Sequence, residues 1–173
     1  RELGADLDAL AEGLRTFAGA GRRMELIADT AGVTVYDDYG HHPSEVRATL
    51  AAARQKVGAR RLWAVFEPHM YSRTALLFDD FARSFEAADE VMIVDIFPSR
   101  DSEEAMRATS AEALADAVER TSAVPTIAVG DTDATTEYLA EHVAVGDAVL
   151  VMGAGRSYRI ARDLAARLTK QAT

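Results

Sequence analysis

A chain of 173 residues has room for one sizeable core, and its 49% hydrophobic and 27% charged content is that of an ordinary globular domain, not of a disordered or fibrous chain. The formal charge of −9 argues against a general nucleic-acid surface, which needs clustered Lys and Arg, and favours a small ligand; the absence of cysteine removes disulfides and thiolate metal sites. No apolar run approaches the roughly 20 residues needed to cross a bilayer and no signal peptide opens the chain, so a cytoplasmic location is expected, while the start at Arg1 suggests a fragment of a larger protein.

Residues 1–16 carry Leu3, Leu7, Leu10 and Leu14 at helical spacing, which predicts an amphipathic helix; residues 1–20 are read as a linker helix and lead-in, and residues 21–173 as one α/β domain. Phe17-Ala18-Gly19-Ala20-Gly21 breaks that helix. Met24-Glu25-Leu26-Ile27-Ala28 and Gly32-Val33-Thr34-Val35-Tyr36 predict a β-hairpin around a turn over Asp29-Thr30-Ala31-Gly32. After Pro43 helix and strand patterns alternate. Val46, Leu50, Ala53 and Val57 form a helix face, followed by the apolar strand Leu62-Trp63-Ala64-Val65-Phe66. Leu77, Phe78, Phe81 and Phe85 form the next face, before Val91-Met92-Ile93-Val94. A capping box from Thr109 to Glu112 opens a helix through Val118, leading to Val124-Pro125-Thr126-Ile127-Ala128-Val129. Asp131 or Thr132 caps a helix containing Leu139; Ala148-Val149-Leu150-Val151-Met152 is the last strand; Ile160, Leu164 and Leu168 mark the last helix. Apolar strands separated by helical crossovers indicate a three-layer, Rossmann-like α/β domain: a mostly parallel sheet of about six strands with an N-terminal hairpin and helices on both faces. Ligands bind such sheets beyond the carboxyl ends of the strands, so the polar clusters after Tyr36, Phe66, Val94 and Met152 are expected to share one rim, with residues 95–108 as a rim loop.

Tyr36-Asp37-Asp38-Tyr39-Gly40-His41-His42-Pro43 gathers two carboxylates, two imidazoles and two phenols at the end of a strand, where Pro43 suits the first position of a helix. A carboxylate there can hold a ribose hydroxyl or a hydrated magnesium ion and a histidine can orient a substrate group; the plainer reading is a capped turn. Asp37 and Asp38 point opposite ways if the strand runs through them, so one of the two is expected to face a ligand. Glu67-Pro68-His69-Met70-Tyr71-Ser72-Arg73-Thr74 follows the next strand, and Arg73 is suited to clamp a carboxylate or else lies on the surface. Gly153-Ala154-Gly155-Arg156-Ser157 either faces an anion with backbone N–H groups or is a tight turn. Arg22-Arg23 reads as a phosphate contact or, more safely, as an exposed basic pair; His142 reads as structural; Trp63 and the phenylalanines at 78, 81 and 85 read as core.

Arg22-Arg23-Met24-Glu25, the Asp37-to-Glu45 run, the Phe66-to-Thr74 run and Met152-Gly153-Ala154-Gly155 together resemble, over nearly the whole chain, the C-terminal domain of the Mur ligases, in the branch of UDP-N-acetylmuramate:L-alanine ligases. The resemblance implies a larger enzyme of peptidoglycan synthesis, with a UDP-sugar domain and an ATPase domain upstream. Such an enzyme uses ATP and Mg2+ to activate the muramoyl carboxylate as an acyl phosphate, which the amine of L-alanine then attacks. By resemblance Asp38 lies on the nucleotide side, Tyr39, His41, His69 and Arg73 bind L-alanine, and the domain closes the cleft and is inactive alone. Two positions depart from the pattern: Met70 stands where many members carry Arg, and Arg156-Ser157 where Asp and an aliphatic residue are usual. Three other readings are a murein tripeptide ligase domain of the same superfamily, a stand-alone metallohydrolase using Asp37, Asp38, His41, His42 and His69, and a phospho-receiver module.

Overall fold

The computed structural model describes residues 4, 6–16 and 20–171. Helix α1 (Leu7–Thr16) buries none of its residues, and its Leu7, Leu10 and Leu14 are exposed. Leu3 and the break at Phe17-Ala18-Gly19 lie outside the described residues.

The hairpin pairs β1 (Glu25–Thr30) antiparallel to β2 (Val33–Asp38), with Thr30 opposite Val33. The turn is therefore shorter than the expected four residues: Asp29 and Thr30 stay in the strand, and only Ala31 and Gly32 connect it, both with positive φ (51° and 74°). That double left-handed geometry matches the twist of the two strands. Gly32 is also required sterically, because a Cβ there would stand 2.7 Å from Val145.

The remaining elements are α2 (Pro43–Val57), β3 (Leu62–Glu67), α3 (Tyr71–Leu76), α4 (Phe78–Ala82), β4 (Glu90–Val94), α5 (Ala111–Ser122), β5 (Thr126–Gly130), α6 (Thr132–His142), β6 (Ala148–Gly153) and α7 (Tyr158–Gln171). The six strands lie in the order β1-β2-β6-β3-β4-β5, all parallel except for the hairpin. Each apolar run is split by the period of two. Leu62, Ala64 and Phe66 of β3 and Leu150 and Met152 of β6 pack with Leu50 of α2, Phe81 of α4 and Leu114 of α5. Trp63, Val65, Val149 and Val151 pack on the other face with Leu139 of α6 and Leu164 of α7. Continuous apolar strands thus reflect burial on both faces, and each fully buried Leu, Val or Phe contributes about 1.5–3 kcal/mol.

Three local expectations change. The Phe78, Phe81 and Phe85 face is not one helix: α3 and α4 are separated by Leu77 (φ −109°, ψ 21°), and Phe85 lies beyond α4 although it is fully buried. The cap of α5 is Ser110, whose side chain accepts from Ala113 N, one position after the expected Thr109. Strand β5 starts at Thr126 because Pro125 has no N–H to give the ladder, although its carbonyl accepts from Val91 N (2.9 Å). No helix among the described residues is long and apolar enough to cross a membrane.

Chain order leaves β2 for β3, passes outward to β5, and returns to insert β6 between β2 and β3. The carboxyl ends of these three central strands carry Asp37-Asp38, Gly153 and Glu67, so insertion of β6 assembles the rim.

Candidate functional site

Strand β2 runs through both aspartates, and alternation sends their side chains apart, as expected. Asp37 (2% exposed) receives Arg22 Nε at 2.8 Å. Asp38 (3% exposed) accepts from Gly40 N (2.7 Å) and Thr49 Oγ1 (3.3 Å) on Oδ1 and from Met24 N (2.9 Å) on Oδ2, so it ties the loop that follows to α2 and to the segment before β1. Gly40 is needed for that closeness, since a Cβ would stand 2.9 Å from Asp38 Oδ1.

The next residues combine the plain reading with the functional one. His42 is the N-cap of α2: its Nδ1 accepts from Ser44 N, while Glu45 accepts from His41 N (2.9 Å) and His42 N (3.1 Å) to complete a capping box. Pro43 occupies the first turn, where its missing N–H costs nothing. Tyr39 lies outside the cap, and His41 joins it through its backbone N–H while its ring stands 3.6 Å from Glu45 Oε2. Tyr39 is 39% exposed and meets the His41 ring edge to face at 5.3 Å. His41 Nδ1 lies 3.0 Å from Tyr39 O, which as a carbonyl can only accept, so Nδ1 carries the hydrogen.

The segment after β3 is held by a strap that periodicity does not reveal. Met70 N donates to Phe97 O (2.8 Å) and Phe97 N donates to Pro68 O (2.8 Å), which joins His69 and Phe97 in a short parallel bridge. The two rings stack at 5.5 Å, and His69 faces His41 at 6.2 Å. Met70 has φ 73° and ψ 125°, a conformation costing a non-glycine residue about 1–3 kcal/mol, and the strap maintains it. Asp101 clamps the start of α3 by accepting from Ser72 Oγ (2.6 Å) and Ser72 N (3.1 Å).

Two polar atoms at this point are buried without a hydrogen-bond partner among the described residues: Nδ1 of His69 and Nη1 of Arg73. Burial first, then the charges of Arg73 and His41, push the His69 pKa below its ordinary value, so the ring is neutral at physiological pH. Unsatisfied buried polar groups are uncommon in folded proteins, and two in adjacent side chains form a cradle for a group that accepts from a guanidinium and donates to an imidazole.

The Gly153-Ala154-Gly155 turn does face an anion, and that anion is internal. Glu67 (3% exposed) accepts from Ser157 N at 2.8 Å, and a Cβ on Gly155 would fall 2.5 Å from Glu67 Oε2 and 2.8 Å from Phe97 Cγ. Burial raises the Glu67 pKa; the Ser157 and Arg156 N–H groups and the charges of Arg22 and Arg156 oppose this without cancelling it. Arg22 is not an exposed surface residue. It is half-buried against Asp37, Gly153 and Ser157, while Arg23 is exposed. His142 stacks on Tyr138 (3.8 Å) on α6, away from this group. The five side chains required by the metallohydrolase reading do not converge, and among the described residues no three His, Asp or Glu side chains form a group that could hold a metal ion.

The structure therefore joins Tyr39, His41, His69 and Arg73 on one rim and places Asp38 behind it as a loop anchor. Sequence reasoning missed Phe97 and the Asp101 clamp. The apolar pair Ile96-Phe97 just after a buried strand, at the start of a mostly polar loop, was the available sign.

A family model described as "Mur ligase, glutamate ligase domain" matches residues 22–155. The chain belongs to the Mur ligase family. This Mur ligase domain is 41% identical over 175 residues to the UDP-N-acetylmuramate–L-alanine ligase of Mycolicibacterium vanbaalenii, covering 99% of the chain and 35% of the relative. It is 42% identical over 169 residues to the same-named ligase of Symbiobacterium thermophilum, covering 98% and 35%. Its fold superimposes on a murein peptide ligase from Psychrobacter arcticus (TM-score 0.72, 27% identity, 97% of this chain and 34% of that one). It also superimposes on the UDP-N-acetylmuramate-alanine ligase MurC of Thermotoga maritima (TM-score 0.71, 23% identity, 98% and 35%). The Mur ligase domain thus spans about a third of the length of these proteins.

Proposed function

We propose that this Mur ligase domain is the amino-acid-binding and cleft-closing part of an ATP-dependent ligase that joins L-alanine to UDP-N-acetylmuramate through an acyl phosphate. The observation that carries this reading is the pair of unpartnered buried atoms, His69 Nδ1 and Arg73 Nη1, beside Tyr39 and His41. An amino acid supplies what each lacks: its carboxylate accepts from Arg73, and its ammonium donates to the neutral His69 ring. Holding both ends of the amino acid orients its nitrogen; loss of the ammonium proton to solvent leaves the lone pair that attacks the acyl carbon, so that the amide C–N bond forms as the bond to the phosphate oxygen breaks and inorganic phosphate leaves.

The fold and the 41–42% identity to two L-alanine ligases support the reading. The murein peptide ligase is similar in fold at 27% identity, which makes a tripeptide the second acceptor to test. ATP belongs to the reading of the whole ligase, and Asp38 serves the nucleotide side by fixing the loop that bounds it. Magnesium does not fit the rim. The oxygens of Asp37 and Asp38 are committed to Arg22, Met24, Gly40 and Thr49, and no step is routed through a metal held by this chain.

The test is ADP release from ATP, UDP-N-acetylmuramate and L-alanine, measured on the natural reading frame containing this chain and, in parallel, on the 173 residues alone. Turnover by the reading frame and none by the 173-residue chain is expected, since the chain contains no Gly-Lys-Ser or Gly-Lys-Thr phosphate loop. Turnover by the chain alone, or a preference for the murein tripeptide over L-alanine, contradicts the proposal.

A further inference from the structure

Arg22 belongs to none of the groups assigned above to substrate, yet more of the rim converges on it than on any of them. Its Nε and Nη2 donate to the Asp37 carboxylate (2.8 and 3.3 Å), and Nη2 also donates to Gly153 O (2.7 Å) and Ser157 Oγ (3.1 Å). These bonds tie the end of β2 to the end of β6 and the start of α7. The same guanidinium lies 5.1 Å from the Tyr39 ring centroid and 5.5 Å from that of Tyr158, and the Arg22 carbonyl accepts from Tyr39 N at 2.8 Å. Arg22 sits at φ 56°, a left-handed conformation that directs its backbone to Tyr39 while its side chain reaches the β6–α7 turn.

We propose that Arg22 is the positioning residue for the amino-acid limb of the site: it fixes the Tyr39 ring, and through it His41, relative to the β6–α7 turn. The inference rests on the reading of Tyr39 and His41 as amino-acid-binding residues. Tyr39 stands just past the end of β2, is 39% exposed, and among the described residues has the His41 ring and the Arg22 guanidinium as its ring neighbours within stacking range. Without the guanidinium, the ring keeps its backbone bond but gains side-chain freedom, and the edge-to-face contact that orients His41 is lost with it. A planar fork held by three acceptors can present a flat cationic face to a ring, whereas a lysine ammonium satisfies the Asp37 charge without presenting one. A purely structural salt bridge makes a different prediction. It needs only a positive charge beside the buried Asp37 carboxylate, and any cation restores it.

The experiment compares Arg22→Met, Arg22→Lys, Tyr39→Ala and, as a control for lost stability at the opposite end of the sheet, Arg61→Met. In the 173-residue chain, proton NMR contacts between the Tyr39 and His41 rings are expected to disappear in Arg22→Met and persist in Arg61→Met. Arg22→Lys is expected to recover thermal stability but not the ring contact. In the reading frame containing the chain, Arg22→Met and Arg22→Lys are expected to raise the KM for L-alanine about tenfold. The KM values for ATP and UDP-N-acetylmuramate stay within about twofold of the parent, and Arg61→Met changes none of the three. Persistence of the ring contact in both Arg22 variants overturns the positioning role whatever the substrate. So does full rescue by lysine, or an equal KM change in Arg61→Met. If the ring contact is lost while Arg22→Met and Tyr39→Ala both leave the L-alanine KM unchanged, the assignment of Tyr39 and His41 to the amino acid fails, and the proposal fails with it.

Discussion

His69 lies just before α3 and Arg73 within its first turn, and the chemistry of each depends on what the other is denied. Among the described residues the guanidinium has no hydrogen-bond partner on Nη1, and its charge acts on the imidazole; the imidazole, already partly desolvated, responds by holding its proton less tightly. A histidine whose folded pKa is depressed costs stability as pH falls below its unfolded value of 6.5 and through the folded one, because the unfolded chain takes up the proton first. The expected outcome is a His69 titration midpoint below 6.5, followed by its ring proton in NMR, and an upward move in Arg73→Met. A midpoint at or above 6.5 in the parent would contradict the effect of burial and of the Arg73 charge on this ring. Met70 between them adds backbone strain, and its positive φ has no sequence sign, because methionine is not a residue chosen for left-handed geometry. The two pairings to Phe97 that hold it come from a loop 27 residues away, which local pattern cannot report.

At the scale of single elements, most of what the chain does is written locally. The β2–α2 junction follows from Gly40 and Pro43 and a capping box at His42 and Glu45, and the β6–α7 junction from glycines that leave room for Glu67. The hairpin is the exception worth testing, because Ala31 takes φ 51° in a two-residue turn that favours Asn-Gly. Asn tolerates the left-handed region better than Ala, so Ala31→Asn is expected to stabilise the protein by about 0.5–1 kcal/mol in urea denaturation, and no gain would argue that the turn is not of this type. Where the element boundaries moved, a tertiary demand overrode the local one. Phe81 and Phe85 both reach the core although α4 ends at Ala82, between them.

Across the whole molecule, β6 is pinned at both ends by a buried carboxylate and an arginine. Arg22 and Asp37 hold the rim; Asp147, just before β6, receives Arg61 (2.6 Å), Trp63 Nε1 (3.0 Å) and Ala144 N (2.9 Å) at the other end. Burial alone would raise the Asp147 pKa, but the Arg61, Ala144 and Trp63 donors outweigh it and hold the carboxyl below its ordinary value. A carboxylate with a depressed folded pKa stabilises the protein above its unfolded value of 3.8, and that contribution is lost as pH falls through the folded value. Asp147→Asn is therefore expected to cost about 1–3 kcal/mol at pH 7, with the difference from the parent shrinking in acid below 3.8. A pH-independent difference would assign the effect to packing. The rim and the far end are thus separately anchored, and that separation makes Arg61 a fair control for Arg22.

The order of apolar runs and helical faces was enough to specify a mostly parallel three-layer sheet, because burial on both faces makes the central strands apolar except near their carboxyl ends. The same order specified that the clusters after β2, β3, β4 and β6 share an edge, and the run around Gly40 carried the family. Tertiary structure alone decided which polar groups are consumed internally and which are left over. Asp37, Asp38, His42 and Glu67 look as functional in sequence as His69 and Arg73, but they satisfy Arg22, the Gly40 loop, the α2 cap and the β6–α7 turn. Hydrogen-bond satisfaction depends on partners up to 135 positions away, as between Arg22 and Ser157 at 3.1 Å, and only the closed sheet brings them together.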